Sequence, residues 1–481
     1  YEDIKEYYNT YLHPDKIDLD DKQVYKNIFH KGKFIGVFQF TNEGAQRFCK
    51  SAKPNSIIDI SAITSIYRPG PLSAGVDKSY TKAKQNPSGV EYVNDLVKEV
   101  TEETAGFLIF QEQIALLAHK LGKDFTLDEG NKLRKLLTKK GTGSVAKEKA
   151  KLEKKFLDGC VEKSVDLATA KQLWRNFEYF SGYGFNKSHA VSYSVLSYQC
   201  AWLLNYYPEC WVAAFLDKEP ESRKELAISL AKQYGFDVTD ININTSAGTY
   251  WEISEDGNPL IQPLSSIKGL GDAAIKQIID HRPFKNAEDL LFKEGVVYSK
   301  FNKKALDVLC RSGALDEIVD DSFTGMKHFW MSCIQNRPKN KKKMQENIQE
   351  WYDEGELSRE EKIENISNLT GIFPFDIVLS RDVRSAIQRY EVPALGNWDP
   401  ELQAAWFIPR EKIAKKTKNG KPYWILKVID NTSTVNTIRV WGVDPSRDIL
   451  HLNRPYGAKL QYNDDWGFSL RLNKSALILL G

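Results

Sequence analysis

The sequence predicts a multidomain α+β protein: a mostly helical amino-terminal body, a smaller mixed domain carrying a glycine hairpin, and a small carboxy-terminal β-barrel. Three observations predict it. The chain's 481 residues exceed what one hydrophobic core serves, and typical domain sizes divide it into two to four. From about residue 55 to 218 apolar residues recur at helical spacing. From about residue 405 that pattern gives way to β-branched and aromatic runs broken by turn residues.

Taken in order, residues 1–29 read as a short helical connector. Phe34 to Phe40 is an apolar run that reads as a strand. Ile57 to Ile66 is helical and stops at the Arg-Pro-Gly-Pro turn, because proline cannot continue a helix. Leu108 to Leu121 and Trp174 to Phe180 carry further helices. Gly182 and Gly184 interrupt the pattern before a long apolar helix, Ser192 to Tyr206, that ends near Pro208. Residues 219–320 form the mixed unit. Residues 321–404 are polar and rich in Lys and Glu, and read as a helical connector with one buried turn near Phe373 to Phe375. Tyr423 to Ile429 and Thr437 to Val443 are strands joined through Asp430 to Thr432, and several short strands over residues 405–481 suggest a barrel.

Composition is that of an ordinary soluble protein, 42% hydrophobic and 27% charged. No run of about 18 apolar residues suggests a membrane span. The chain begins Tyr-Glu-Asp without an initiator Met and without the plan of a secretory signal, so it is expected to be a downstream piece of a longer polypeptide. Six scattered cysteines with no C-x-x-C pair make zinc and disulfides unexpected and point to a reduced, cytoplasmic setting. Net charge is only +3, but residues 131–155 hold ten Lys or Arg against two Glu. A second basic run covers Arg337 to Lys343. Either run could be a solvated face or a phosphate contact.

Four constellations could carry chemistry. In Ser181-Gly-Tyr-Gly-Phe-Asn-Lys-Ser-His-Ala190, two glycines permit close backbone approach, and Asn186, Lys187, Ser188 and His189 precede an apolar helix. Polar groups at a helix start can hold an anion through side chains and free amides. In Asn131-Lys-Leu-Arg-Lys-Leu-Leu-Thr-Lys-Lys140, Arg134 and Lys135 lie one helical turn from Thr138 and Lys139, and Lys140 extends the row. Neutralising a triphosphate needs several cations pointing one way. In Ile267-Lys-Gly-Leu-Gly271, the Gly-x-Gly between two short helices is the hairpin of a helix–hairpin–helix unit. There Lys268, Gly269, Leu270 and Gly271 would offer backbone amides to a DNA phosphate. Asn302 to Asp316 reads as a degenerate second copy. The fourth, Ile17-Asp-Leu-Asp-Asp21, imitates a metal-binding carboxylate pair, but it opens a helical stretch where Asp residues are ordinary caps.

In this order, the segments resemble the alpha subunits of bacterial DNA polymerase III, a family of C-family polymerases. The motifs that carry the resemblance are Gly36-Val-Phe-Gln-Phe40, Tyr67-Arg-Pro-Gly-Pro71, Phe110-Gln-Glu-Gln113, Leu133-Arg-Lys135 with Lys139-Lys140, Gly182 to Ala190, Ser197-Tyr-Gln199, Tyr207-Pro208 and the hairpin. The resemblance implies polymerase fingers at residues 30–218, a helix–hairpin–helix domain at 219–320, and an OB-like single-strand-binding barrel at 405–481. It implies triphosphate contacts at Arg134, Lys135, Lys139, Lys140, Asn186, Lys187, Ser188 and His189. DNA contacts are expected at Arg68 and at residues 268–271, and at Trp424 and Trp441, which lie with Tyr423 on the predicted barrel strands, where such rings either stack on bases or fill the core.

Deoxynucleoside triphosphates, a DNA primer–template, a sliding clamp and other replisome subunits are the implied partners, with Mg2+ as the implied metal. The family's metal-binding aspartates lie in a palm upstream of the Phe-Gln segment. The chain is therefore expected to hold no catalytic residue and no metal ligand, to need a palm-containing segment, and to be inactive alone, whether by truncation or as one half of a split polymerase. Two departures stand out. The family usually has Arg-Arg where this chain has Arg134-Lys135, and Lys cannot reproduce a bidentate guanidinium contact. No Gln-rich clamp-binding peptide is evident between hairpin and barrel. The alternative from a different class is a non-catalytic DNA-binding protein that uses only the hairpin and the barrel.

Overall fold

The structure, a computed structural model, describes residues 1–137, 139, 143–181, 184–432, 435–444, 450–463, 466–472 and 476–480. The chain divides into two compact units, Tyr1–Trp211 and Val212–Gly481.

The first unit is helical. Ser56 caps the helix Ile57–Ile66 by accepting from the Asp59 amide, and most of the helix is buried, Asp59 against Lys84 and Ser61 against Ser194 included. The expected stop at Arg68 is different in kind: Pro69 opens a further short helix, Pro69–Ser73, with Arg68 as its N-cap residue. Proline fits a first helical turn, where its missing N–H is not needed. The expected strand at Phe34 to Phe40 is not one. Val37 N–H donates to the Phe34 carbonyl and Phe40 N–H to that of Val37, with Gly36 and Gln39 at positive φ. Phe34, Ile35, Val37 and Phe40 are all buried, so the apolar run marks a buried loop with no partner strand.

The helices Gln111–Leu121, Leu127–Leu137, Ser144–Glu162 and Leu167–Ser181 enclose a core that includes Leu121, Phe125, Leu133, Phe156, Trp174 and Phe177. Glycine sets their closest approach. A Cβ on Gly130 would lie 2.5 Å from the Ala115 carbonyl oxygen. Gly130 and Arg134 are one turn apart on one helix, as Gln111 and Ala115 are on its neighbour, so Arg134 is carried against Gln111. The long helix Lys187–Tyr206 begins earlier than its apolar pattern, because its first turn is polar.

The second unit opens with the hairpin domain. Strands β1 (Glu252–Ile253) and β2 (Leu260–Ile261) pair antiparallel. The helices Asp272–His281 and Lys303–Arg311 contribute to a core that also takes Phe329, Cys333, Ile334 and Ile348. Residues 321–404 are thus more than a connector. Their first half completes the hairpin domain, and Phe373, Val378 and Val383 further on pack against Trp406 and Ile408 of the sheet.

The sheet strands are β3 (Ala404–Lys416), β4 (Pro422–Ile429), β5 (Val435–Trp441), β6 (Tyr456–Lys459), β7 (Gln461–Asn463), β8 (Gly467–Arg471) and β9 (Ile478–Leu479). Their order is β7-β8-β5-β4-β3-β6-β9. The β5–β8 pair is parallel and the rest are antiparallel. The result is a curled, OB-like half-barrel with edges at β7 and β9, where the sequence suggested closure. Alternate residues of β3 explain why it is buried on both sides: Ala405 and Phe407 face the barrel core, Trp406 and Ile408 the helices.

Candidate functional site

In the first unit three of the sequence motifs meet. Residues 109–110 lie beside Phe185, with Gln111 N–H donating to the Phe185 carbonyl (2.9 Å) and Phe185 N–H to that of Ile109 (3.1 Å). Each polar residue of Phe110-Gln-Glu-Gln113 then does something different. Gln113 is buried; its Oε1 accepts from the Ile109 and Phe110 amides, and its Nε2 donates to Thr104 and the Val100 carbonyl. Glu112 accepts from Asn186 Nδ2 (2.8 Å) and from the Lys187 amide (2.9 Å). Gln111 donates to the Gly184 carbonyl (2.8 Å) and accepts from Arg134 Nη1 (2.6 Å). The guanidinium is thereby tied to Gly184 through one amide side chain. Arg134 Nε is buried and has no hydrogen-bond partner among the described residues.

The start of the long helix differs from the expectation of free anion-binding groups. Asn186 caps it, accepting from the His189 amide and the Ser188 hydroxyl. The Lys187 ammonium is held by both oxygens of Glu103, at 2.6 and 2.7 Å. Two carboxylates of the chain, Glu103 and Glu112, thus occupy groups expected to meet phosphate. The physical reason is local positive charge: Glu112 sits on a free amide at the positive end of the helix dipole, and Glu103 forms an ion pair with the Lys187 ammonium. Ser188 and His189 are exposed, and the His189 ring packs on Tyr193 with centroids 4.4 Å apart. Arg68 stacks 4.4 Å over the Phe185 ring, and burial lowers its pKa from the ordinary guanidinium value.

Lys135 and Lys139 are exposed, while Lys140, Thr138 and residues 182–183 lie outside the described residues. Part of the neighbouring basic run is spent on internal ion pairs: Lys132 with Glu148, Lys149 with Glu178, and Lys155 with Glu129. The Asp18 to Asp21 run is a set of turn caps. Asp18 accepts from the Asp20 amide and Asp21 from the Gln23 amide. Among the described residues no group of three or more His, Cys, Asp or Glu could hold a metal ion.

In the second unit Gly269 takes φ +92°, a conformation that favours glycine. Gly271 is the N-cap of Asp272–His281, and a Cβ there would meet nothing within 4 Å. The Gly269 and Gly271 amides have no protein acceptor among the described residues. Lys268 is exposed, but its amide already donates to the Leu369 carbonyl. Leu270 is 8% exposed, so its side chain anchors the hairpin in the core and cannot itself meet DNA. The Asn302 to Asp316 segment is a capped helix followed by a turn at Gly313 and a short 3-10 helix, Asp316–Ile318.

On the sheet, Trp424 is 6% exposed and belongs to the barrel core, because its position on β4 points inward. Tyr423, one residue earlier, points outward and stacks on Trp441 of β5 at 4.6 Å. Trp441 opens onto a cleft of about 520 Å3 that Trp398, Tyr462, Trp466 and Arg471 also line. These cleft rings went unnoticed in the sequence, since Trp398 precedes the strands and Trp466 sits in a loop between them.

Residues 1–163 match the family model of the bacterial DNA polymerase III alpha subunit finger domain, and residues 235–322 match that of the helix-hairpin-helix motif. The chain is similar to the DNA polymerase III subunit alpha of Aquifex aeolicus, 30% identical over 460 residues that cover 94% of this chain and 38% of that protein. That of Campylobacter jejuni is 32% identical, over 65% of this chain and 26% of the relative. That of Borreliella burgdorferi is 33% identical, over 67% and 28%. The chain thus spans between about a quarter and two-fifths of the length of these curated relatives.

Proposed function

The chain belongs to the bacterial DNA polymerase III alpha subunit family, and on that premise we propose that it supplies the incoming-nucleotide grip and the primer–template grip of a replicative DNA polymerase. The fingers are assigned to residues 30–218, the helix–hairpin–helix domain to 219–320 and the single-strand-binding barrel to 405–481. The observation that carries the reading is Arg134: a guanidinium fixed by Gln111, which also binds Gly184, with its Nε unpaired among the described residues. Lys135 and Lys139 add charge nearby. Lys187 joins them by exchanging Glu103 for a phosphate oxygen. A DNA-binding protein without polymerase activity has no use for this arrangement, and it is what separates the two readings.

The hairpin holds duplex backbone through the Gly269 and Gly271 amides, without reading sequence. Arg68, stacked on Phe185, contacts template or primer backbone. Tyr423 and Trp441 offer bases a stacking surface on the sheet.

Nucleotidyl transfer uses divalent metal to activate the attacking hydroxyl and stabilise the leaving group. We propose Mg2+, held by carboxylates that the described residues do not bring together. Catalysis then needs a palm-bearing segment, with deoxynucleoside triphosphates and DNA as substrates and a sliding clamp and other replisome subunits as partners. No helix among the described residues is long and apolar enough to cross a membrane, and all six cysteines are free and buried. We propose the cytoplasm as its setting, where six cysteines would stay reduced.

The test is steady-state kinetics of an intact polymerase carrying Arg134→Ala. Losing charge-assisted hydrogen bonds worth roughly 1.5–3 kcal/mol should raise the nucleotide KM about ten- to a hundredfold. An unchanged nucleotide dependence would remove Arg134 from the site.

A further inference from the structure

The second basic run is not absorbed by this function, and its surroundings give it one. Asn340 caps the helix Lys341–Glu350 by accepting from the Lys343 amide. Buried Asn347 donates to the Asn336 and Ser332 carbonyls, which pins the loop before that helix. Arg337 is laid 4.6 Å over the Tyr298 ring. The fixed loop borders a cleft of about 890 Å3 whose charged lining is Arg337, Lys339, Lys342 and Lys343 with Glu346 and Glu350, four cations against two carboxylates.

Ion pairing sorts these cations. Lys341, which does not line the cleft, pairs with Glu288, and Lys343 pairs with Glu346. Arg337, Lys339 and Lys342 line it and have no carboxylate partner among the described residues.

The cleft is also joined to the hairpin. Lys303 donates through Nζ to the Gln335 carbonyl, at the start of the basic loop. The next residue, Lys304, brings its Cε within 3.9 Å of the position a Cβ on Gly269 would take. The first turn of Lys303–Arg311 therefore bridges the two features. Cations run from the hairpin glycine through Lys304 and Lys303 to Arg337, Lys339 and Lys342.

We propose that this cleft is a second phosphate-binding surface, which holds the backbone of the same DNA duplex beyond the phosphates taken by the hairpin. The partner rests on the hairpin reading above; the existence of the surface does not. Point-like lysine charges suit a repeating phosphate backbone and carry no base information.

The test measures binding of the full chain to two fluorescent duplexes of unrelated sequence between 50 and 300 mM salt, for the parent, the triple variant R337A/K339A/K342A and Gly271→Val. Each phosphate contact contributes about 0.9 to the slope of log affinity against log salt. The triple variant should lose about 2 to 3 from that slope, equally for both duplexes. If its thermal unfolding is altered, the double variant K339Q/K342Q, with both positions exposed, should lose about 2.

An unchanged slope with weaker binding by Gly271→Val would overturn this surface and leave the hairpin reading standing. Unchanged binding in both variants would overturn both. Competition by inorganic tripolyphosphate or polyglutamate as effective as unlabelled duplex, at matched charge and lost in the triple variant, would show a different occupant and overturn the duplex assignment.

Discussion

Glu103 and Glu112 place carboxylates on the groups that the proposed function gives to phosphate. For Glu103 this has a consequence of unusual sign. The Lys187–Glu103 pair is about one-third exposed on each side, so it stabilises the protein by no more than roughly 1 kcal/mol, yet it competes with the nucleotide for the same ammonium. Glu103→Gln in an intact polymerase should therefore lower the nucleotide KM, by up to about fivefold, where structural damage would raise it. A KM that rises or stays constant contradicts the exchange at Lys187. At this scale residue type and local spacing singled out Arg134, Asn186 and Lys187 as candidates, but not that Asn186 caps the long helix or that Glu103 holds Lys187. Gln111, Glu112 and Glu103 were in plain view but without roles. Their partners lie 23 to 84 positions away, and no local pattern records such a contact.

Between elements, the approach of two helices positions the site. Gly130 packs against the Ala115 backbone, and the same faces carry Arg134 to Gln111. Gly130→Ala should force these helices apart, destabilise the protein by about 1–3 kcal/mol and raise the nucleotide KM as well. Thermal unfolding and kinetics together check it, and a variant as stable and as active as the parent would show that the close approach is dispensable.

The sheet makes a second prediction through strand alternation. Trp424→Ala should cost roughly 3–5 kcal/mol of stability, as removal of a buried aromatic does. Trp441→Ala should spare stability and weaken single-strand binding by about 1–3 kcal/mol, read by oligothymidine titration. Equal effects of the two on binding would contradict the assignment of faces. The helices were legible because 3.6-residue periodicity survives without tertiary context. The Phe34 to Phe40 loop was not, since burial on every side makes a loop and a strand look alike. The curl of the sheet and the double burial of β3 likewise depend on elements far away in sequence.

For the molecule as a whole, order along the chain carried more than any single motif. Each of the glycine turn, the cationic helix and the hairpin has an ordinary structural explanation when taken alone, yet their succession identifies the family. Packing of residues 321–404 was hidden in the same sequence, because Phe329, Cys333 and Ile334 are few among many Lys and Glu. The central claim is that these residues grip nucleotide and DNA but do not themselves perform the transfer. Primer extension with Mg2+ tests it most directly, using the 481-residue polypeptide alone and mixed with a palm-bearing polypeptide of the same family. The account predicts no extension by the polypeptide alone, and extension on mixing that Arg134→Ala weakens. Metal-dependent extension by the polypeptide alone, abolished by Asp18→Asn or Asp20→Asn, would contradict it.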